Sequence, residues 1–237
     1  MGPRTITSSL AGWFIVLTVT TTAHAQGVWG PVDLGLLTPK GINNLGQVVG
    51  VSHTPVEGDL RASIWTAEGG LVQLGTLGGR SSVAVGVNDH GHIVGWSTTA
   101  NNRRHAFVWT AASGMIDLQS PSDARAGDAF GINNVGQIIG QVGTNPVLWT
   151  PTGDMIFPQI AGQATLTAIN DLGQVVGRRI LGGVVRAFLW TPAGGVVDLG
   201  SLAGSATSAI DINDAGQVVG NSFIAFARPN PYHHAFL

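Results

Sequence analysis

Hydrophobic and polar positions alternate along most of the chain in short runs, each ending at a break rich in Gly, Asn or Asp. A period of two over a few residues marks half-buried strands. SVAVGVN (82–88) and TSAIDIN (207–213) show it before the break, QVVG follows the break, and segments such as RAFLWT (186–191) and VVDLG (196–200) come later. Beyond residue 25 no stretch carries a long 3.6-residue apolar period free of Gly or Pro, so an all-β fold is expected.

The breaks are copies of one another: GINNLGQVVG (41–50), VNDHGHIVG (87–95), INNVGQIIG (132–140), INDLGQVVG (169–177) and INDAGQVVG (212–220). Their first glycines, Gly46, Gly91, Gly136, Gly173 and Gly216, stand 45, 45, 37 and 43 residues apart. A period in this range signals a repeat architecture. Each unit reads as four strands. Strand A precedes the turn, whose Asn and Asp side chains bond the local backbone and whose Gly supplies a positive φ. Strand B is QVVG and its continuation. Strand C is RASIWT (61–66), HAFVWT (105–110), NPVLWT (145–150), RAFLWT (186–191) or HHAFL (233–237), rich in residues that suit a pleated surface. Strand D is LVQLG (71–75), MIDL (115–118), DMIF (154–157) or VVDLG (196–200).

Four antiparallel strands per unit of this length predict the blade of a β-propeller, whose radial repetition protects sheet edges. Strands A, B and C each occur five times, and D does so only if VDLG (32–35) is counted. A five-bladed β-propeller of four-stranded blades follows, its last blade closed by VDLG pairing beside HHAFL, which removes an open edge. An open β-solenoid of the same units is the rival arrangement.

The joint pattern of INDLGQVVG, HAFVWT and VQLGTLGG (72–79) resembles the HAF-repeat family of bacterial extracellular repeat proteins, whose tripeptide stands here as His105-Ala106-Phe107 and His234-Ala235-Phe236. The resemblance covers residues 32 to 237. Two copies depart from it, with Arg61-Ala62-Ser63 in the first and Asn145-Pro146-Val147 in the third. It implies an exported protein and brings no established activity or catalytic residue.

Export is also legible in residues 1 to 25: Arg4, the apolar stretch LAGWFIVLTVTTT (10–22), then Ala23-His24-Ala25 as a small-x-small cleavage site. The apolar stretch is short of the ~20 residues that span a bilayer, so a cleaved signal is expected rather than a membrane span, and a secreted, periplasmic or cell-surface location after it. The single domain would be residues 26 to 237. Of the 237 residues 35 are Gly, 44% are hydrophobic and 10% charged, and the net charge is −2, which supplies no basic patch for nucleic acid. With no Cys, stability rests on packing and repetition.

Repeated side chains are read as structure first. Trp65, Trp109, Trp149 and Trp190 are expected to pack between blades, and the Asn and Asp residues of the turns to cap them, since the dense run of carboxylates that calcium demands is missing. His105 and His234 occupy a position that Arg61 and Arg186 fill elsewhere, which argues for a donor along the blade surface and against a metal ligand. GTLGG (75–79) opens no helix, and neither a GxSxG elbow nor an HExxH helix is present, so no metal, cofactor or catalytic residue is assigned.

Strand parity gathers the B–C and D–A loops at one end of the blades. These segments vary: SHTPVEGDLR (52–61), STTANNRR (97–104), QSPSDARAG (119–127), RRILGGVV (178–185) and NSFIAFARPNPYHH (221–234). Variable loops on a rigid scaffold are where binding resides. Arg103, Arg104, Asp123, Arg125, Arg178, Arg179 and Tyr232 are the candidate binding residues, because the repeat's packing does not require them. A monomeric, noncatalytic scaffold that binds an anionic glycan, an acidic protein segment or another cell-envelope component is the leading reading. A glycoside-processing enzyme using loop carboxylates and a purely structural module are the alternatives.

Overall fold

A computed structural model describes residues 30–53, 58–119, 125–202, 206–224 and 232–237. The chain divides into two units, Met1–Leu34 and Gly35–Leu237. Of the first, only residues 30–34 are described and they carry no strand, while the expected signal segment lies outside the described residues.

The second unit is all-β. Strands β1 (Leu37–Ile42), β2 (Val48–His53), β3 (Leu60–Thr66) and β4 (Gly70–Gln73) form the first sheet, and β5 (Gly78–Val87), β6 (Ile93–Thr99), β7 (Arg104–Thr110) and β8 (Gly114–Asp117) the second. The third holds β9 (Gly127–Ile132), β10 (Ile138–Val142), β11 (Asn145–Trp149) and β12 (Met155–Ile156), and the fourth β13 (Gln163–Ile169), β14 (Val175–Leu181), β15 (Val184–Thr191) and β16 (Gly195–Asp198). The fifth has three strands, β17 (Thr207–Ile212), β18 (Val218–Ile224) and β19 (Tyr232–Phe236). All paired neighbours are antiparallel and follow in chain order, as the A-B-C-D reading expects. The expected closing strand, VDLG (32–35), forms no strand.

The repeat's two glycines answer to different constraints. The first sits in the turn at positive φ, 73° at Gly46 and 87° at Gly136, where a Cβ is strained. The second faces a β-bulge that recurs in strand A of every sheet, at Lys40, Val85, Phe130, Thr167 and Ile210. A Cβ on Gly50, Gly95, Gly140, Gly177 or Gly220 would collide with the carbonyl oxygen of Thr38, Val83, Asp128, Thr165 or Ser208. Bulge and glycine therefore form one device, and the extra residue increases local twist.

Sheets pack face to face. In HAFVWT, Phe107 points to the preceding sheet, joining Val49, Ala62, Ala84 and Ile93, whereas Ala106 joins Ala129, Val147 and Trp149 of the following one. Phe188 and Trp190 repeat the backward contact with Ile139 and Leu148, and Ala187 the forward one with Ala209 and Ile212. Trp149 is fully buried and its indole N–H donates to the Leu118 carbonyl of the second sheet at 3.0 Å. Trp109, Trp149 and Trp190 thus pack between sheets as expected, while Trp65 of the first sheet is half-buried and joins none of these clusters. The Thr after each one closes the C–D turn, as where the Thr66 hydroxyl accepts the Gly69 amide at 2.9 Å.

The fifth sheet breaks the pattern. Val94 and Val176 are fully buried, but Val219 in the matching place is 43% exposed, and Ala235 is exposed where Ala106 and Ala187 are buried. No sixth face covers them among the described residues.

Candidate functional site

The A–B turns are built for cohesion. Within each turn Asn caps the backbone: the Asn43 side-chain oxygen accepts the amides of Leu45 and Gln47 at 3.1 and 3.0 Å. The same side chain reaches onward, its amide donating to the Asn88 carbonyl at 2.8 Å, and Asn88, Asn133 and Asn170 repeat the bond to Asn133, Asn170 and Asn213. A second file runs beside it, in which the amides of Asn44, Asp89, Asn134 and Asp171 donate to the side-chain oxygens of Asp89, Asn134, Asp171 and Asp214. The Asn44 side chain, then its backbone amide, hold the Asp89 carboxyl below its ordinary value.

The histidine expectation is corrected. His105 is not a surface donor: it is 1% exposed, and its Nδ1 lies 2.7 Å from the Asp117 carboxylate of β8. The Asp of strand D holds the His of strand C because both stand on the backward face. The other described aspartates beyond Asp33 are occupied too. Asp59 pairs with Arg80 at 3.0 Å, Asp154 accepts the Thr152 hydroxyl at 2.7 Å, and Asp198 lies 3.6 Å from Arg179. Among the described residues no group of three His, Asp or Glu is placed to hold a metal ion, and no helix is long and apolar enough to cross a membrane.

At the opposite end, where the B–C and D–A loops gather, the candidate residues separate. Arg103 lies in the loop before β7 and Arg125 just before β9; both are exposed. Arg104 is taken up by the fold, with Nε 2.6 Å from Asp128 of the next sheet and its guanidinium 4.0 Å above the Trp96 ring centroid. Arg178 and Arg179 stand in strand rather than loop, because β14 and β15 continue to a two-residue Gly182-Gly183 turn with both φ positive. Arg178 is exposed. Arg179 occupies the place of Ser52, Ser97 and Ser222, its side chain is only 12% exposed, and its Nε is buried without a hydrogen-bond partner. Asp123 lies outside the described residues. Tyr232 stands in β19 opposite Ile224, and its side chain is likewise outside them.

One feature of this end escaped sequence reasoning. A groove of about 1050 Å³ opens between the third and fourth sheets, along Arg125, the tip of the β10–β11 hairpin and residues 157–165. It exists because that hairpin is cut short. Val142 pairs directly with Asn145 across Gly143-Thr144, whereas β14–β15 runs on to Leu181 and Val184. The signal was the 37-residue spacing, against 45 before it and 43 after it.

No family model and no curated protein sequence matches the chain. Solved structures do. TolB from Acinetobacter baumannii superposes with a TM-score of 0.54 at 11% identity, over 81% of this chain and 49% of that one. Selenomethionine-substituted virginiamycin B lyase from Staphylococcus aureus gives 0.50 at 12% identity, over 83% and 69%. The chain thus spans about half the length of the TolB chain. At such identities the likeness shows the fold alone, and the fold is β-propeller-like.

Proposed function

We propose that the chain is an exported, noncatalytic repeat protein of the HAF-repeat type, closed into five blades by VDLG (32–35) pairing beside β19, that binds an anionic cell-envelope component on its B–C and D–A loop end. The closure rests on repetition: four sheets have a D strand, the fifth shows none among the described residues, and VDLG carries the matching sequence.

The binding reading rests on one observation. At the loop end the described acids are spent within the fold, on Arg80, Arg104 and Arg179, while Arg103 and Arg178 are exposed and form no ion pair with a described residue. Surplus guanidinium at one end of a slightly acidic protein attracts anions and presents planar, bidentate donors to carboxylate or sulfate. The same occupancy argues against a glycosidase, which needs two free carboxyls facing each other. The test is retention of residues 26–237 on immobilised polygalacturonate at low and moderate salt, beside an Arg103→Ser/Arg178→Ser variant. Retention that falls with salt and is weakened in the variant is expected. No retention of the parent, or equal retention of both, would overturn the reading.

A further inference from the structure

We infer that the groove between the third and fourth sheets is the seat of the ligand, and that it takes an acidic oligosaccharide. The inference rests on the loop-end reading above and goes further, to a place and a chemical class. The groove holds about 1050 Å³, at the upper end of the roughly 300–1,000 Å³ of small-molecule sites, which suits several sugar rings better than one.

Its lining mixes the groups that a sugar uses. Asn145 of β11 and Gln163 of β13 line it, both exposed, and supply carboxamides that donate to and accept from hydroxyls. Phe157 is 36% exposed on the segment between β12 and β13, beside Pro158, and gives an apolar platform for the C–H face of a ring. Among the described residues no Asp or Glu lines the groove.

Charge selects the acidic class. The exposed Arg125 runs along the wall, its stem against Gly143 at the hairpin tip. Behind the opposite wall, Ala164 stands in register with Arg179, and Arg179 with Arg186. Two arginines thus stand side by side there, and the carboxylate of Asp198 lies 3.6 Å from Arg179. A uronate carboxylate or a sugar sulfate would meet a positive field from both sides, at short range and in a partly desolvated cleft. An acidic peptide would meet the charge but would leave the carboxamides and the Phe157 ring without their complement.

Calorimetric titration with the α-1,4-linked galacturonate trimer, with maltotriose and with hexaglutamate tests this, using the parent, Phe157→Ala, Gln163→Ala, Arg125→Ser and the Arg103→Ser/Arg178→Ser pair. All these side chains are exposed, and equal melting temperatures establish that each variant is folded. The galacturonate trimer should bind and maltotriose far more weakly. Phe157→Ala should cost about fivefold in affinity and Arg125→Ser about tenfold, with the Arg103/Arg178 pair below about twofold because it lies outside the groove. Groove variants that bind like the parent, while the Arg103/Arg178 pair loses the trimer, would overturn the groove and leave the loop-end reading standing. Hexaglutamate bound as tightly, without sensitivity to Phe157, would overturn the saccharide class. Absence of binding to every anion would overturn both.

Discussion

The side-chain amide of Asn88 donates to the backbone carbonyl of Asn133, 45 residues further along the chain, at 3.1 Å. Asn133 does the same to Asn170 at 2.9 Å while also holding Gln137 through its side chain and backbone amide. One residue type thus shapes its own turn and ties it to the next, which is why the turn is spelled the same way five times.

Removing that side chain from a middle turn leaves the Gln137 amide without a partner and the buried Asn170 carbonyl with the Gly173 amide alone. Asn133→Ala should therefore cost roughly 3 kcal/mol in urea unfolding. Asn213 ends the file, and its side chain bonds only Gln217 among the described residues. The proposed closure gives it a fifth link, to the Asn43 carbonyl, so Asn213→Ala should cost a similar amount. A cost of only about 1 kcal/mol, that of a lost turn cap, would mean that the ring is open.

The bulge device gives a second expectation. Gly95→Ala drives a methyl into the Val83 carbonyl, rigid backbone that cannot step aside, and should destabilise by about 3 kcal/mol. Gly46→Ala meets no atom within 4 Å and suffers only its positive φ, costing about 1 kcal/mol. Chemical denaturation of the two variants side by side checks the ranking; equal costs would remove the bulge from the explanation.

Acid should act through Asp89. Its folded carboxyl titrates below the ordinary value of 3.8, so its contribution is complete above that value and disappears as pH falls through the lower, folded one. The parent should lose stability in that acid window, and Asp89→Asn, which cannot titrate, should lose less between pH 5 and pH 3. Urea midpoints at the two pH values decide it. Parallel losses would show that other groups set the acid limb.

Much of this was legible in the sequence, because strand alternation and turn chemistry are local. NDLG marked the turns, and RAFLWT and its copies the C strands, since each signal lies within a few residues. The bulges were hidden: nothing in Lys40 or Thr167 shows that it lacks a partner until strand B is laid beside it. The His105–Asp117 pair was hidden too, because both residues looked like repeat ornaments until the C–D register set them on one face. Arg104 and Arg179 read as loop arginines because the chain gives no sign that Asp128 waits on the next sheet or that β14 extends through the second of them. The groove is the absence of a loop, and only the short third spacing hinted at it.

The central claim is that ligand meets the loop end and not the turn end. Hydrogen–deuterium exchange of residues 26–237 with and without polygalacturonate tests it most directly, because both ends yield separate peptides. The account predicts slower exchange in peptides covering 97–104, 141–146 and 157–163, with the turns at 43–47, 88–92 and 133–137 unchanged. Protection confined to the turns, or binding without protection at the loop end, would contradict it.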